Sequence, residues 1–170
     1  MSSPRDTMEH MFSCFDTMYF VLGEGAPTLT NDAYVIRTYE MARAFGEVAL
    51  GFREYLGDVE RQPLGPLEDV LRRALHLDDS GAMVLFAMAT VIGPRVLVSL
   101  RDAREKLELD ETALGVLNHA SQVLVQEIRA VGDVAGEQAP IEDPEWQVRA
   151  QSLSVDLENG ANAESFGISR

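Results

Sequence analysis

The side chains that most often do chemistry in proteins are few in this chain, and they are not grouped in catalytic or metal-binding patterns. The histidines are His10, His76 and His119, and none belongs to an HExxH or Glu-x-x-His unit, the spacings with which a helix presents metal ligands. The single cysteine, Cys14, lies within an apolar run, where a buried and inert thiol is expected. These residues predict neither a nucleophile nor a metal site.

Adjacent carboxylates and glycines offer no stronger case for catalysis. The carboxylate pairs Asp78-Asp79, Asp110-Glu111 and Glu142-Asp143 all stand where a helix is expected to start, so compensation of the helix dipole explains them better than acid–base work. Gly23 and Gly25 are not followed by the lysine of a phosphate-binding loop. We therefore expect no enzyme activity and no cofactor.

The length and the net charge of the chain restrict the kinds of partner and the domain organisation that it can have. The chain has 170 residues and a formal net charge of −14, so it should repel nucleic acids and anionic membrane surfaces. One cysteine permits no internal disulfide, which suits the cytosol. We predict one folded domain over residues 1–150, followed by a polar tail over 151–170 that is too poor in apolar residues to span a membrane.

Apolar residues recur at intervals of three and four along most of the chain, which predicts an all-α protein. Ser3-Pro4 and Thr30-Asn31-Asp32 are start signals for the first two helices. The first apolar stripe ends at Gly23-Glu24-Gly25, and the second runs on to Leu56. Gly46 and Gly51 within the second helix indicate either a bend or a close contact between helices.

The second half of the chain continues this pattern. Leu67–Leu75 should form a short amphipathic helix, and residues 110–131 a longer one. Between them, Ala82–Gly93 is apolar on every side. Because Pro94 and Arg95 interrupt this run well before the roughly 20 residues of a membrane span, we expect a buried central helix surrounded by amphipathic ones. A last short helix is expected near Pro144.

The order of these segments resembles that of the Bcl-2 family of apoptosis regulators over residues 31–150. Met41–Val48 is similar to the family's own BH3 region, and Leu67–Leu75 to the helix before its signature loop. His76–Phe86 falls at the BH1 motif, and Leu124–Asp133 lies where BH2 begins. Ile92-Gly93 and Leu109–Leu114 match the segments between.

The departures from the family pattern are concentrated in BH1 and BH2. Asp79 stands for the BH1 asparagine, Ser80 for its tryptophan and Ala82 for its arginine, whereas Gly81 keeps the glycine. The BH2 tryptophans are missing, and Trp146 comes too late to replace them. Such divergence is typical of viral members of the family, so the chain most resembles a viral homologue.

The resemblance implies a Bcl-2-like helical bundle that inhibits apoptosis by binding the BH3 helix of pro-apoptotic proteins in an apolar groove. Because the arginine that pairs with the BH3 aspartate is absent at Ala82, binding should be weak or selective; Arg53 and Arg72 are candidates to replace its charge. An empty groove should be narrowed, covered by the tail or buried in a homodimer. The residues carried over to the groove are Val48, Phe52, Tyr55, Leu56, Leu71, Leu75, Asp79, Gly81, Ala82, Val84 and Leu85.

Other classes stay open on the sequence alone. Each groove residue can equally be ordinary core, because burying an apolar side chain contributes about 1.5–3 kcal/mol in either role. The chain can also be a bacterial or phage helical interaction protein, of the chaperone or antitoxin type, with no BH3 groove. A helical ligand carrier or small enzyme is a third alternative. If the chain is a Bcl-2-like inhibitor of apoptosis, we expect the protein in the cytosol of the host cell, associated with mitochondria through its partners.

Overall fold

The computed structural model describes residues 3–138, with backbone alone for residues 135–138, and the separate residues Val148 and Gln151. All regular structure in this part of the chain is helical, which confirms the predicted all-α fold. Apart from Val148 and Gln151, the predicted helix near Pro144 and the predicted tail lie outside the described residues. The helices are α1 (Pro4–Gly25), α2 (Asp32–Leu56), α3 (Gly65–Leu77), α4 (Ala82–Ala87), α5 (Gly93–Lys106) and α6 (Glu111–Gln138).

The first two helices begin at the predicted caps. Ser3 Oγ accepts a hydrogen bond from the Asp6 N–H, and the Asp6 carboxylate accepts one from the Ser3 N–H, so the two residues form a capping box. The Asn31 side chain accepts from the Tyr34 N–H at the start of α2. The 3-10 turn Ala26–Thr28, followed by Leu29 and Thr30, joins α1 to the N-cap of α2, and α2 folds back along α1.

The core is built on the inner faces of α1 and α2. The Phe15 ring of α1 meets Phe45 edge-on at 5.6 Å between centroids and stacks on Phe52 at 6.0 Å. The apolar segment after Gly81 enters this core as α4, which is buried on nearly all sides and leaves only Phe86 partly exposed. The core therefore combines a buried α4 with an equally buried face of α1.

The apolar helix continues past Pro94 and Arg95, as the apolar spacing of Val96, Leu97, Val98 and Leu100 indicates. A π-helical stretch, Met88–Ile92, joins α4 to α5, so one helix runs from Ala82 to Lys106. In this stretch the Gly93 N–H donates to the Met88 carbonyl, five residues back. A proline within a regular helix meets the carbonyl four residues before it and has no N–H to donate. The wider π turn just before Pro94 relieves this conflict, which the run of residue types did not reveal.

Ala82–Lys106 is also long and apolar enough to cross a membrane, judged by length and composition, and it is the one such helix among the described residues. Half of its most apolar window is buried against the other helices. The core helix of a globular domain meets the same criterion, so this finding is weak evidence for a membrane segment.

Gly93 is a sensitive position because it packs closely against Ile128 of α6. A Cβ atom added there would lie 2.5 Å from the Met88 carbonyl oxygen and 2.6 Å from Ile128 Cδ1. Because the nearer atom is backbone, we expect Gly93→Ala to lower the free energy of unfolding by about 1–3 kcal/mol, measured by urea denaturation. Gly115→Ala is the control: it has no neighbour within 4 Å, and alanine should stabilise that helix by about 0.5–1 kcal/mol. Equal effects at both positions would contradict the close packing.

Helix α6 runs antiparallel to α2 and is tied to it near both ends of α2. At one end the Tyr55 hydroxyl donates to Asp110 Oδ2 over 3.2 Å. Towards the other end Arg37 forms an ion pair with Glu127, and both side chains are largely buried. The chain therefore leaves α6 near the start of α2 rather than near its end.

Candidate functional site: the groove between α1 and α2

An open apolar groove of about 780 Å³ lies between α1 and α2, on the side of α2 that faces away from α6. We call it the α1–α2 groove. Its lining residues recur at helical intervals on the two helices, so two parallel faces form it and the third side is open. They are Phe12, Asp16, Tyr19, Phe20, Gly23 and Glu24 from α1, and Tyr39, Ala42, Arg43, Gly46, Glu47, Ala49, Leu50 and Arg53 from α2.

Four large apolar side chains of the groove are half exposed. Tyr19, Phe20 and Tyr39 keep 46%, 48% and 45% of their surface accessible, and Leu50 keeps 56%. Single exposed apolar residues are ordinary on a protein surface, but these four share one concave surface. A contiguous apolar surface of this kind is typical of an interaction site.

Small residues make the groove concave. Ala42 and Ala49 are almost fully buried and form its floor together with Phe12. At Gly46 the Tyr19 ring comes so close that an added Cβ would lie 2.6 Å from Cδ1. This confirms the close helix contact predicted at Gly46, whereas Gly51 has no neighbour within 4 Å.

The rim of the groove carries charges of both signs, and most of them are paired. Arg43 lies 3.7 Å from Glu47, and Arg61, from the segment after α2, lies 3.6 Å from Asp16. The Arg61 guanidinium also covers the Phe20 ring at 4.9 Å from its centroid. Arg53 differs: its guanidinium stands 5.2 Å from the Phe12 centroid, and among the described residues no carboxylate oxygen lies within 4.0 Å of it.

The groove is chemically suited to binding. No cysteine, serine or histidine is among its lining residues. Cys14 is fully buried elsewhere in α1, and burial raises the pKa of its thiol to about 12, so it stays protonated and unreactive at neutral pH. Among the described residues no group of three or more histidine, cysteine or acidic side chains is placed to hold a metal ion.

Most of the residues that the family resemblance assigned to a BH3 groove belong to the hydrophobic core. Leu75 and Tyr55 are half buried at the edge of this core cluster. No observation tests the use of this whole set in binding a BH3 helix, so that use stays a prediction. Most of the set is buried between the helices of the core. The fully buried members of the set are Val48, Phe52, Leu56, Leu71, Ala82, Val84 and Leu85.

The BH1-like turn has a structural role that explains part of its sequence. The carbonyl of the exposed Asp79 accepts a hydrogen bond from the Thr30 N–H at 2.8 Å, which ties this turn to the start of α2. Gly81 has a φ of +101° and lies against Leu29 and Tyr34, so a side chain there is both strained and crowded. Ala82, at the BH1 arginine position, is buried directly after this turn.

The two candidates to replace the missing BH1 arginine, Arg53 and Arg72, differ in their ion pairs. Arg72 is engaged by Glu68 at 2.9 Å and by Glu24 at 3.4 Å, and the hydrogen bond to Glu68 raises its pKa. Arg53 lines the groove and keeps its charge unpaired among the described residues.

Sequence reasoning did not identify the α1–α2 groove. The helical spacing of Tyr19, Tyr39 and Leu50 places them in the apolar stripes of the first two helices and so predicts that they face the core. The available signal was the combination of Gly23, Gly46 and small alanines with large aromatic residues one turn away. Small residues on two neighbouring helices leave a depression between the large side chains that flank them.

Comparison of the chain with protein-family models, with curated proteins and with solved structures finds no match.

Proposed function

We propose that this protein is a non-catalytic inhibitor of apoptosis that binds the BH3 helix of pro-apoptotic proteins, and that the helix lies in the α1–α2 groove. The observation that carries this proposal is the row of half-exposed Tyr19, Phe20, Tyr39 and Leu50 along one concave surface. Aromatic residues of this kind dominate binding energy at protein interfaces.

The dimensions of the groove suit a helix. Along α2 it extends from Tyr39 to Arg53, which at 1.5 Å per residue is about 21 Å, or nearly four turns of helix. An amphipathic helix of that length presents anchors at i, i+3 or i+4, and i+7 to such a surface. The volume alone would also accept a small molecule, but ligand pockets enclose most of the ligand, and this groove is open along its length.

The charge of Arg53 supports the choice of a BH3 helix among amphipathic helices. The family resemblance implies that BH3 helices carry an aspartate that pairs with an arginine of the binding protein. Ala82 cannot supply that charge, whereas Arg53 stands at the end of the groove without a carboxylate partner among the described residues. An arginine already held over an aromatic ring loses less freedom when it pairs.

The direct test is titration calorimetry of the full chain with a panel of BH3 peptides. We expect binding to a subset of the panel, because the pairing arginine is displaced from its usual helix. Uniform tight binding to every peptide would contradict the expected selectivity. If no BH3 peptide binds, the proposal fails, and a helical interaction protein of the chaperone or antitoxin type replaces it.

Arg53→Glu should weaken the binding of any BH3 peptide that the protein accepts by about tenfold, or 1.4 kcal/mol. The control is Arg129→Glu, which makes the same change of charge at an exposed position on α6 outside the groove. Calorimetry at two salt concentrations separates a local ion pair from a general effect of net charge. If both variants lose affinity equally, Arg53 has no specific role.

A further inference from the structure

The α1–α2 groove has two chemically different ends. A Cβ atom added to Gly23 would lie 3.9 Å from Ala42 Cβ, so the last turns of α1 lie beside the first half of α2, near Tyr39. At the other end the Arg53 guanidinium covers the Phe12 ring of α1. We call these the Tyr39 end and the Arg53 end. Because α1 and α2 run in opposite directions, their dipoles largely cancel, and side-chain charges decide how the two ends differ.

The Arg53 end has an excess of positive charge among the side chains that line or cover it. Arg61 lies 3.6 Å from Asp16 and is balanced by it. Arg53 has no carboxylate oxygen within 4.0 Å in the described part of the chain. It stands in the last turn of α2, where a cation compensates the helix dipole, but a partial charge does not neutralise a full one. One cation at this end is therefore available to a ligand.

The Tyr39 end has no such cation. Its lining carboxylate, Glu24, is about half exposed and lies 3.4 Å from Arg72, an arginine that another carboxylate binds more closely at 2.9 Å. One turn further along the groove, Arg43 and Glu47 form a loose pair 3.7 Å apart and cancel each other. The groove thus changes along its length from an excess of negative charge to an excess of positive charge.

This gradient gives a bound helix a preferred direction, because a helix carries about half a positive charge at its N-terminus and half a negative charge at its C-terminus. We infer that the helix in the α1–α2 groove lies parallel to α2, with its first turn at the Tyr39 end and an acidic side chain of its last turn beside Arg53. The inference deepens the proposed function and rests on it for the assignment of a helix to this groove. A helix with the same apolar face and a basic last turn is disfavoured.

Two designed peptides test the charge order of the partner. Both are amphipathic helices of about 15 residues with one apolar face; the first has lysine in its first turn and glutamate in its last, and the second has these two residues exchanged. The second is the more stable helix in isolation, because its charges compensate its own dipole. Calorimetry with the full chain should nevertheless show about fivefold tighter binding of the first peptide. Arg53→Glu should abolish this preference, whereas Arg129→Glu, at an exposed position on α6, should keep it.

Nitroxide labels beyond the two ends of the groove measure the direction of binding. Ile36 and Glu54 are exposed, do not line the groove, and share the face of α2 that carries Tyr39 and Leu50. They are about 27 Å apart along the helix. Cys14 stays unlabelled because it is fully buried. A label on Ile36→Cys should broaden the NMR signals of the first turn of the bound peptide, and a label on Glu54→Cys those of its last turn. The probes are the first designed peptide and the BH3 peptide that binds most tightly.

The outcomes separate this inference from the proposed function. Binding of either probe in the opposite direction overturns the inference even if BH3 peptides bind, and so does equal affinity for the two designed peptides. If the first designed peptide docks in the expected direction but no BH3 peptide binds, the proposed function fails and the inferred direction stands. If neither a designed peptide nor a BH3 peptide binds the full chain, both are overturned.

Discussion

Replacing Phe52 by alanine should lower the free energy of unfolding by about 3–5 kcal/mol. Phe52 is fully buried, and its ring stacks on Phe15 at the contact between α1 and α2. Truncation removes this contact and leaves a cavity that the neighbouring rings cannot fill, because tightly packed interiors relax only in part. Urea denaturation followed by circular dichroism measures the loss.

Leu50, two residues earlier on α2, is the matched comparison. It lies in the α1–α2 groove with more than half of its surface exposed, so Leu50→Ala should change stability by no more than about 0.5 kcal/mol. It should instead weaken peptide binding. The two substitutions thus distinguish the core of the protein from the proposed binding surface.

Unchanged stability with lost affinity in Phe52→Ala would instead support a groove at the residues that the family resemblance implies. If Phe52→Ala unfolds at the wild-type urea concentration and loses affinity for BH3 peptides, then Phe52 lines a groove in solution. Leu71 and Val84, which share its core cluster, would then deserve the same test. If Phe52→Ala is strongly destabilised, the binding surface lies elsewhere.

Arg37→Met should cost about 3 kcal/mol of unfolding free energy at neutral pH, because it leaves the carboxylate of Glu127 buried without its charge partner. The two side chains keep only 12% and 15% of their surface exposed where α2 meets α6. Arg37 also reaches Glu40 at 2.9 Å, but that carboxylate is mostly in solvent and contributes little. The double variant Arg37→Met/Glu127→Leu should recover most of the loss, since it buries no charge.

The cost of Arg37→Met should fall as the pH falls. Burial raises the pKa of Glu127 in the native protein, and Arg37 offsets only part of that rise. Without Arg37 the native pKa rises further above the unfolded one. Between the two values the native state binds a proton that the unfolded state does not, so acidification favours folding. Comparing wild type and variant in urea at about pH 7 and pH 5 should show a smaller difference at pH 5; a difference that stays constant or grows would mean that Glu127 is hydrated.

Local signals in the sequence predicted the helix starts well. Ser3 and Asn31 cap α1 and α2 as expected, because a cap depends on hydrogen bonds to residues only three positions away. The π-helical stretch that joins α4 to α5 was not predictable in this way. It depends on Gly93, which fits between the Met88 carbonyl and Ile128, a residue on another helix.

The α1–α2 groove shows why an apolar spacing alone does not distinguish a buried helix face from an open groove. Tyr39 and Leu50 follow the same helical spacing as their buried neighbours Ala42 and Ala49. The spacing shows which face of α2 avoids water, but how much of that face α1 covers depends on the distance between the two helices. The sequence indicated only that Gly46 and Gly51 mark a bend or a close contact between helices, whereas the structure places the Tyr19 ring against Gly46.

The buried thiol of Cys14 also serves as an internal probe of local opening. It is the single cysteine of the chain, and no part of it reaches solvent. A thiol reagent can therefore modify the folded protein only when the contact between α1 and its neighbours opens. The rate of modification, divided by that of the unfolded chain, gives the equilibrium constant for this opening when reclosing is fast. The fraction of molecules in which α1, the helix that forms one wall of the groove, has opened can thus be measured without adding any label to the groove itself.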